Sequence, residues 1–195
     1  MKIPYSYLRA LLMFAADKRE VRTYLQGVAV ESTGEKTILT ASNGHVLGRL
    51  LLPSTCPKSR YQLSGSLVRS MLALARTKTE QDTPFDVDFG DIITVKHLDS
   101  ILTAPAEACL FPDFNRIIPD AVTGELAQYD PEYMAVFSKA GRALAPHRKS
   151  AYPVFYHNGI GPGMVGLEGH TDFFGIIMPW GVTPIDPQEL LAGFI

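Results

Sequence analysis

The chain of 195 residues is 46% hydrophobic and carries 18 lysines and arginines against 20 aspartates and glutamates, a formal charge of −2. That is ample for a core in one large or two small domains, and it excludes a globally basic nucleic-acid or membrane-surface binder, so any such surface must be local. The two cysteines, Cys56 and Cys109, stand at no metal-ligand spacing, which argues against a disulfide framework and suits a reducing cytoplasm.

Met1-Lys2-Ile3-Pro4 leads into an amphipathic segment with charges at Arg9, Asp17 and Lys18. No signal peptide or transmembrane run is therefore expected here, and the protein is expected to be soluble and cytoplasmic. From this point one pattern, a helix followed by three short strands, is used three times. In the first unit a helix is predicted from Tyr5 to Arg19, with Leu8, Leu11, Leu12 and Ala15 on its buried face. Strands follow at Val21 to Glu31, Lys36 to Ala41 and His45 to Leu52, with turns at Thr33-Gly34 and Asn43-Gly44. The second unit starts with a short strand, Tyr61 to Leu63, and a helix capped by Ser64 or Ser66 that reaches Thr79. Its strands are Asp86 to Phe89, Ile92 to Lys96 and Ile101 to Ala104.

Between the second and third units lies Phe111-Pro112-Asp113-Phe114-Asn115-Arg116-Ile117-Ile118-Pro119, a connector that is apolar and stiff where linkers are ordinarily polar. The two prolines bias Phe111 and Ile118 away from helix. The third unit opens with a strand, Glu125 to Tyr129. Asp130 then caps a helix, Pro131 suits its first position and Glu132 its positive end. The helix is predicted to run to Ala145, followed by strands at Tyr152 to His157, Met164 to Glu168 and Phe173 to Pro179. The tail from Gly181 to Ile195 belongs to no unit.

Catalytic chemistry has no visible candidate. Gly161-Pro162-Gly163-Met164-Val165-Gly166 matches GxGxxG formally, but a β-type run follows it instead of the helix whose N-terminus would meet a pyrophosphate, so a hairpin turn is expected. His45, His97, His147, His157 and His170 lack metal-ligand spacing, and there is no serine elbow, phosphate loop or paired carboxylate motif. No metal, cofactor or catalytic residue is expected.

Four segments carry a resemblance to the bacterial sliding clamp, the β subunit of DNA polymerase III. The connector resembles that family's interdomain connector. Glu20-Val21-Arg22-Thr23-Tyr24-Leu25-Gln26-Gly27 is similar to its Asp-Val-Arg-Tyr-Tyr-Leu-Asn-Gly, and Ala41-Ser42-Asn43-Gly44-His45-Val46-Leu47 to its Ala-Thr-Asp-Gly-His-Arg-Leu. Ile176-Ile177-Met178-Pro179-Trp180 resembles Val-Val-Met-Pro-Met, with tryptophan in place of the last methionine. Each match is weak alone. The four in order and spacing cover residues 1 to 182.

The resemblance implies an α+β, DNA-clamp-like fold: a full domain at 1–110 like the family's middle domain, a connector at 111–123, a half domain at 124–182 like the second half of the last domain, and a tail at 183–195. The family's first domain and half of its last have no counterpart here. Twelve units close a family ring, so three per chain would need four chains. Exposed edges and an uncovered helix face on the half domain favour a homodimer through the third unit, or a dimer of dimers forming a ring.

It also implies sequence-independent contact with double-stranded DNA. The candidate cations are Arg9, Lys18 and Arg19 near the first helix, Arg69, Arg76 and Lys78 near the second, and Lys139, Arg142, Arg148 and Lys149 near the third. A solvated helix face is the alternative for these. The family docks peptides of polymerases and other replication proteins in an apolar cleft, and the matching positions are Gly44, His45, Leu47, Pro112, Arg116, Ile117, Met178, Pro179 and Trp180. Met178 and Trp180 could equally be edge residues of the last strand's core. Gln188 to Ile195 has the spacing of such peptides and either occupies a cleft or forms a terminal helix. The expected function is thus a non-catalytic processivity or tethering factor. The alternative is a clamp-fold peptide-binding module that never encircles DNA.

Overall fold

The computed structural model describes residues 1–52, 57–106, 111–145 and 152–181. Its first unit comprises β1 (Lys2–Ile3), α1 (Tyr5–Leu11), β2 (Val28–Ser32), β3 (Thr37–Ser42) and β4 (Val46–Leu52). The second has β5 (Ser59–Leu63), α2 (Gly65–Leu74), α3 (Lys78–Asp82), β6 (Phe85–Asp88), β7 (Ile92–His97) and β8 (Ser100–Pro105). The third has α4 (Pro131–Leu144), β9 (Pro153–Tyr156), β10 (Gly163–Leu167) and β11 (His170–Ile177). The threefold helix-plus-strands pattern is therefore present.

Several boundaries differ from the sequence expectation. α1 ends at Leu11 instead of Arg19 because the chain turns to bury Phe14, and the Ala16 amide then donates to the Leu25 carbonyl at 2.8 Å. Val21 to Gln26 alternates like a strand but forms a 3-10 turn over Thr23–Gln26. The Gln26 amide group holds it closed by donating to the Lys18 and Glu20 carbonyls. α2 stops at Leu74, and α3 restarts behind a capping box in which Thr77 and Glu80 satisfy each other's amides. The caps at Ser64 and Asp130 are as the sequence predicts, accepting from the amides of Leu67 and Glu132.

All strand pairing is antiparallel. The first strand of each of the first two units crosses to the other: β1 pairs β6 and β5 pairs β2. This exchange ties the two units together. A four-stranded sheet runs β1-β6-β7-β8 and a seven-stranded one runs β5-β2-β3-β4-β11-β10-β9. The third unit thus joins the first, through β11 on β4, from Val46↔Ile177 to Leu50↔Phe173. The predicted strand Glu125 to Tyr129 enters no sheet.

The seam between first and third units is built on a glycine pair. Gly48 and Gly175 are partners across β4 and β11. A Cβ on Gly48 would lie 2.6 Å from the Phe14 ring, and one on Gly175 2.5 Å from the Phe137 ring. The two rings meet edge to face at 5.1 Å, with Phe173 6.0 Å from Phe14. Burying such rings contributes about 1.5–3 kcal/mol each. α1 packs on α4 above them, and the Tyr7 hydroxyl donates to Asp172 across the same joint.

The helices and the main core occupy one side of the sheets. The connector crosses the other side, where strand alternation presents Ala29 and Arg49. Phe111 is buried there with Leu25, Ala29 and Phe114. The Arg60 guanidinium donates to the Phe111 carbonyl and Arg49 Nη1 to Asn115 Oδ1 at 3.0 Å. Ile118 is extended, as its following proline requires.

Candidate functional site

Side chains of directly paired residues share a face of a sheet. The pairs Ser42↔Leu47, Leu47↔Ile176, Ile176↔Met164 and Met164↔Tyr156 therefore make one row across β3, β4, β11, β10 and β9 on the connector side. Leu47 and Ile176 are fully buried, Met164 is partly open and Tyr156 is 48% exposed. Leu47 thus serves as a floor and not as an exposed wall.

At one end of this row the Asn43-Gly44 turn leads into β4. Gly44 sits at φ 94°, which glycine adopts without strain. Asn43 Oδ1 accepts from the amides of His45 and Val46 at 2.9 and 3.0 Å. The Arg22 guanidinium lies 3.6 Å from where a Gly44 Cβ would be, and it is fixed by Glu20 at 2.9 Å. Hydrogen bonds from Arg22 hold the Glu20 carboxyl down near about 2. His45 is exposed and stacks on Tyr133 in the first turn of α4, with centroids 5.1 Å apart and planes 13° apart. Burial first, and then the charges of Asp130 and Glu132, raise the Tyr133 hydroxyl's pKa.

The chain after β11 stays beside this turn. The Met178 amide donates to the His45 carbonyl at 2.9 Å, and the Trp180 amide to the Gln128 carbonyl at 2.7 Å. Met178 and Pro179 are half-buried and Trp180 is exposed. On the connector, Pro112 and Arg116 are exposed and Ile117 is half-buried. The Arg49–Asn115 bond attaches this segment to β4, two residues beyond Leu47. A cavity of about 340 Å³ opens here between Ile38, Arg49, Leu51, Ile118 and Phe174. Burial lowers the Arg49 pKa, opposed by Glu31 and Asp113, and its Nε is buried without a partner. Arg22, the 41–47 turn, Asn115 and residues 176–180 thus lie on or beside the strands joining the first and third units, whereas Phe111 and Pro112 lie by β2 and β5.

The helical side carries the predicted cations unevenly. Arg9, Lys78, Lys139 and Arg142 are exposed on α1, α3 and α4, and none is in an ion pair among the described residues. Arg9 and Lys78 line a cavity of about 670 Å³ with Asp82 and Leu144, between α1, α3 and the end of α4. Arg69 does not share an open face with Arg76, since it folds back over Gly65 while Arg76 lies beyond the end of α2. Arg19 pairs with Asp17 at 3.2 Å, and Lys18 precedes it in the turn after α1. Arg148, Lys149, both cysteines, His147 and the tail lie outside the described residues. Among the described residues no cluster of potential metal ligands occurs and no helix is long and apolar enough to cross a membrane.

No family model matches the chain. The β sliding clamp of Pseudomonas aeruginosa is 31% identical over 122 residues, which is 60% of this chain and 33% of that protein. The crystal structure of the P. aeruginosa sliding clamp matches with a TM-score of 0.67 at 16% identity, over 93% of this chain and 66% of the clamp. The fold is that of the bacterial sliding clamp. The Bacillus subtilis clamp gives 0.68 at 11% identity, over 94% of this chain and 64% of its own. The DNA polymerase III β subunit of Thermotoga maritima gives 0.65 at 15%, over 94% and 65%. The chain spans just under two thirds of each of these solved clamps, and its aligned stretch covers a third of the P. aeruginosa protein.

The four segments that resemble the clamp family contain His45, Leu47, Ile176 and Met178, whereas Tyr133, Met164 and Phe174 lie outside all of them. Tyr133 reads as an ordinary first-turn helix residue, and only the β4–β11 pairing reveals that it meets His45.

Proposed function

We propose that this chain is a non-catalytic, clamp-fold tethering factor that docks short peptides of DNA replication or repair proteins at the joint between its first and third units. The approach of the 41–47 turn, residues 176–180 and the Asn115 part of the connector to that joint carries the reading. At the open end of the row Met164 and Tyr156 offer apolar surface for aliphatic and aromatic peptide side chains above the buried Leu47 and Ile176, and Met164 and Met178 can adapt to more than one ligand. His45 on Tyr133 supplies a flat wall at one end. Arg116, Ile117, Pro179 and Trp180 would border that surface from the connector and the last segment, whereas Pro112 lies beside Arg60 of β5, three strands from β4. The P. aeruginosa clamp was solved bound to griselimycin, so that compound is a second ligand to titrate against this chain.

Contact with duplex DNA would fall to the helical side, through Arg9, Lys78, Lys139 and Arg142, with weak and salt-sensitive affinity. A second reading, a peptide-binding module that does not encircle DNA, is favoured by the thinness of that surface, where Arg19 is ion-paired and Arg69 is folded inward.

Methyl-labelled methionines test docking directly. Titrating the protein with a peptide carrying a glutamine followed by aliphatic and aromatic residues should move the signals of Met164 and Met178 and leave the core Met71 in place. Unmoved Met164 and Met178 signals at saturating peptide would overturn the assignment.

A further inference from the structure

We propose that two copies of this chain complete one domain between them, each donating residues 126–129 to the open edge of the other's β9. The first two units provide the template. Ile3, just before the α1 N-cap Pro4, pairs with Phe85, the first residue of β6. Leu63, just before the α2 N-cap Ser64, pairs with Val28, the first residue of β2. The same exchange thus occurs twice, in the same register, related by a local two-fold. Ile3 and Leu63 are both fully buried by it.

Among the described residues the third unit has both halves of this arrangement, and no strand pairs with residues 126–129 or with the outer edge of β9. Tyr129 stands just before the α4 N-cap Asp130, yet residues 126–129 enter no sheet. Among the described residues β9 ends the seven-stranded sheet and pairs only with β10. Its register matches that of β6: Val154 pairs Gly166 beside the turn closed by Leu167↔His170, as Asp86 pairs Lys96 beside the turn closed by His97↔Ser100. Pro153 therefore stands where Phe85 does, and Phe155 where Val87 does.

Applying the template places the second copy's Tyr129 opposite Pro153, Gln128 opposite Val154 and Ala127 opposite Phe155. Main-chain polarity agrees. The Tyr152 carbonyl accepts from Glu168 on the β10 side, so Pro153 and Phe155 turn their main-chain groups to the open edge. The Gln128 carbonyl faces the other way, onto the Trp180 amide, and keeps that bond. The Ala127 amide would exchange its present acceptor, His157 Nδ1 at 3.1 Å, for a carbonyl of the second copy. Pro153 has no N–H, so each ladder has one bond fewer than β1 on β6.

The side chains favour a covered edge. On β6 the outward residues at these positions are Asp86 and Asp88, while on β9 they are Val154 and Tyr156, 46% and 48% exposed. Leu126 is 82% exposed. Met134 occupies the α4 position at which Leu8 of α1 and Val68 of α2 are fully buried, and it is only half-buried. A second copy is the fitting occupant because it offers the donated strand and the vacant edge together, which a two-fold closes into an isologous pair. Neither peptide nor DNA binding is needed for it.

Sedimentation should give a mass of twice 21.4 kDa at tens of micromolar, and Val154→Lys with Tyr156→Lys should return it to one chain. With Cys56 and Cys109 changed to serine, a mixture of Gln128→Cys chains and Val154→Cys chains should form an interchain disulfide that neither forms alone. A monomer at that concentration, or a dimer with no crosslink in the mixture, would overturn the exchange.

Discussion

His45, just before β4, lies flat on Tyr133 of α4, 5.1 Å away and within 13° of parallel, so one ring from the first unit packs directly on one from the third. Offset aromatic stacking of this kind contributes about 0.5–1.5 kcal/mol. Tyr133→Ala should therefore weaken peptide docking by roughly threefold to tenfold while leaving the circular dichroism spectrum unchanged. Calorimetric titration measures this, and an affinity equal to wild type would remove Tyr133 from the site.

The glycine pair under Phe14 and Phe137 sets a stability prediction. Gly175→Ala places a methyl where the Phe137 ring lies and should cost about 1–3 kcal/mol in urea unfolding. Phe137→Leu makes room, so the double variant should lose clearly less than the sum of the two single losses. Strict additivity would mean that the contact does not limit the seam.

Tyr7 and Asp172 predict an alkaline response. Burial first, and then the hydrogen bond to and charge of Asp172, raise the Tyr7 pKa above its ordinary 10.0. The unfolded chain therefore releases this proton at lower pH than the folded one, so the stability linked to it is whole below pH 10 and is lost as pH rises toward the folded value. Tyr7→Phe should flatten the fall in melting temperature above pH 10. An unchanged alkaline limb would show that Tyr7 does not carry it.

Reversing Arg9, Lys78, Lys139 and Arg142 to glutamate should abolish retention of duplex DNA at low salt. For the unmodified protein, log K should fall with log salt at about −0.9 per phosphate neutralised. Reversal of Arg19 and Arg69 instead should change retention far less, since Asp17 already engages one and the other folds over Gly65.

The sequence made the repeat legible because helix and strand periods differ, and the Asp130-Pro131-Glu132 start of α4 was legible because capping is local. Val21 to Gln26 misled because alternation says nothing about the Gln26 side chain closing a 3-10 turn. Residues 125–129 have strand chemistry yet enter no sheet among the described residues, because a strand's own pattern carries no mark of whether a partner strand is at hand. The groove was half legible. His45 and Met178 sit in motifs, whereas Tyr133 and Met164 enter only through the β4–β11 register, a pairing of residues more than a hundred positions apart.

The most direct test of the docking groove is the anisotropy of a fluorescent peptide bearing glutamine, aliphatic and aromatic residues, titrated with this protein and with its Met178→Glu variant. Saturable binding that weakens at least about tenfold in the variant, a difference of about 1.4 kcal/mol, is the predicted result. No saturable binding, or equal affinity for both proteins, would contradict it.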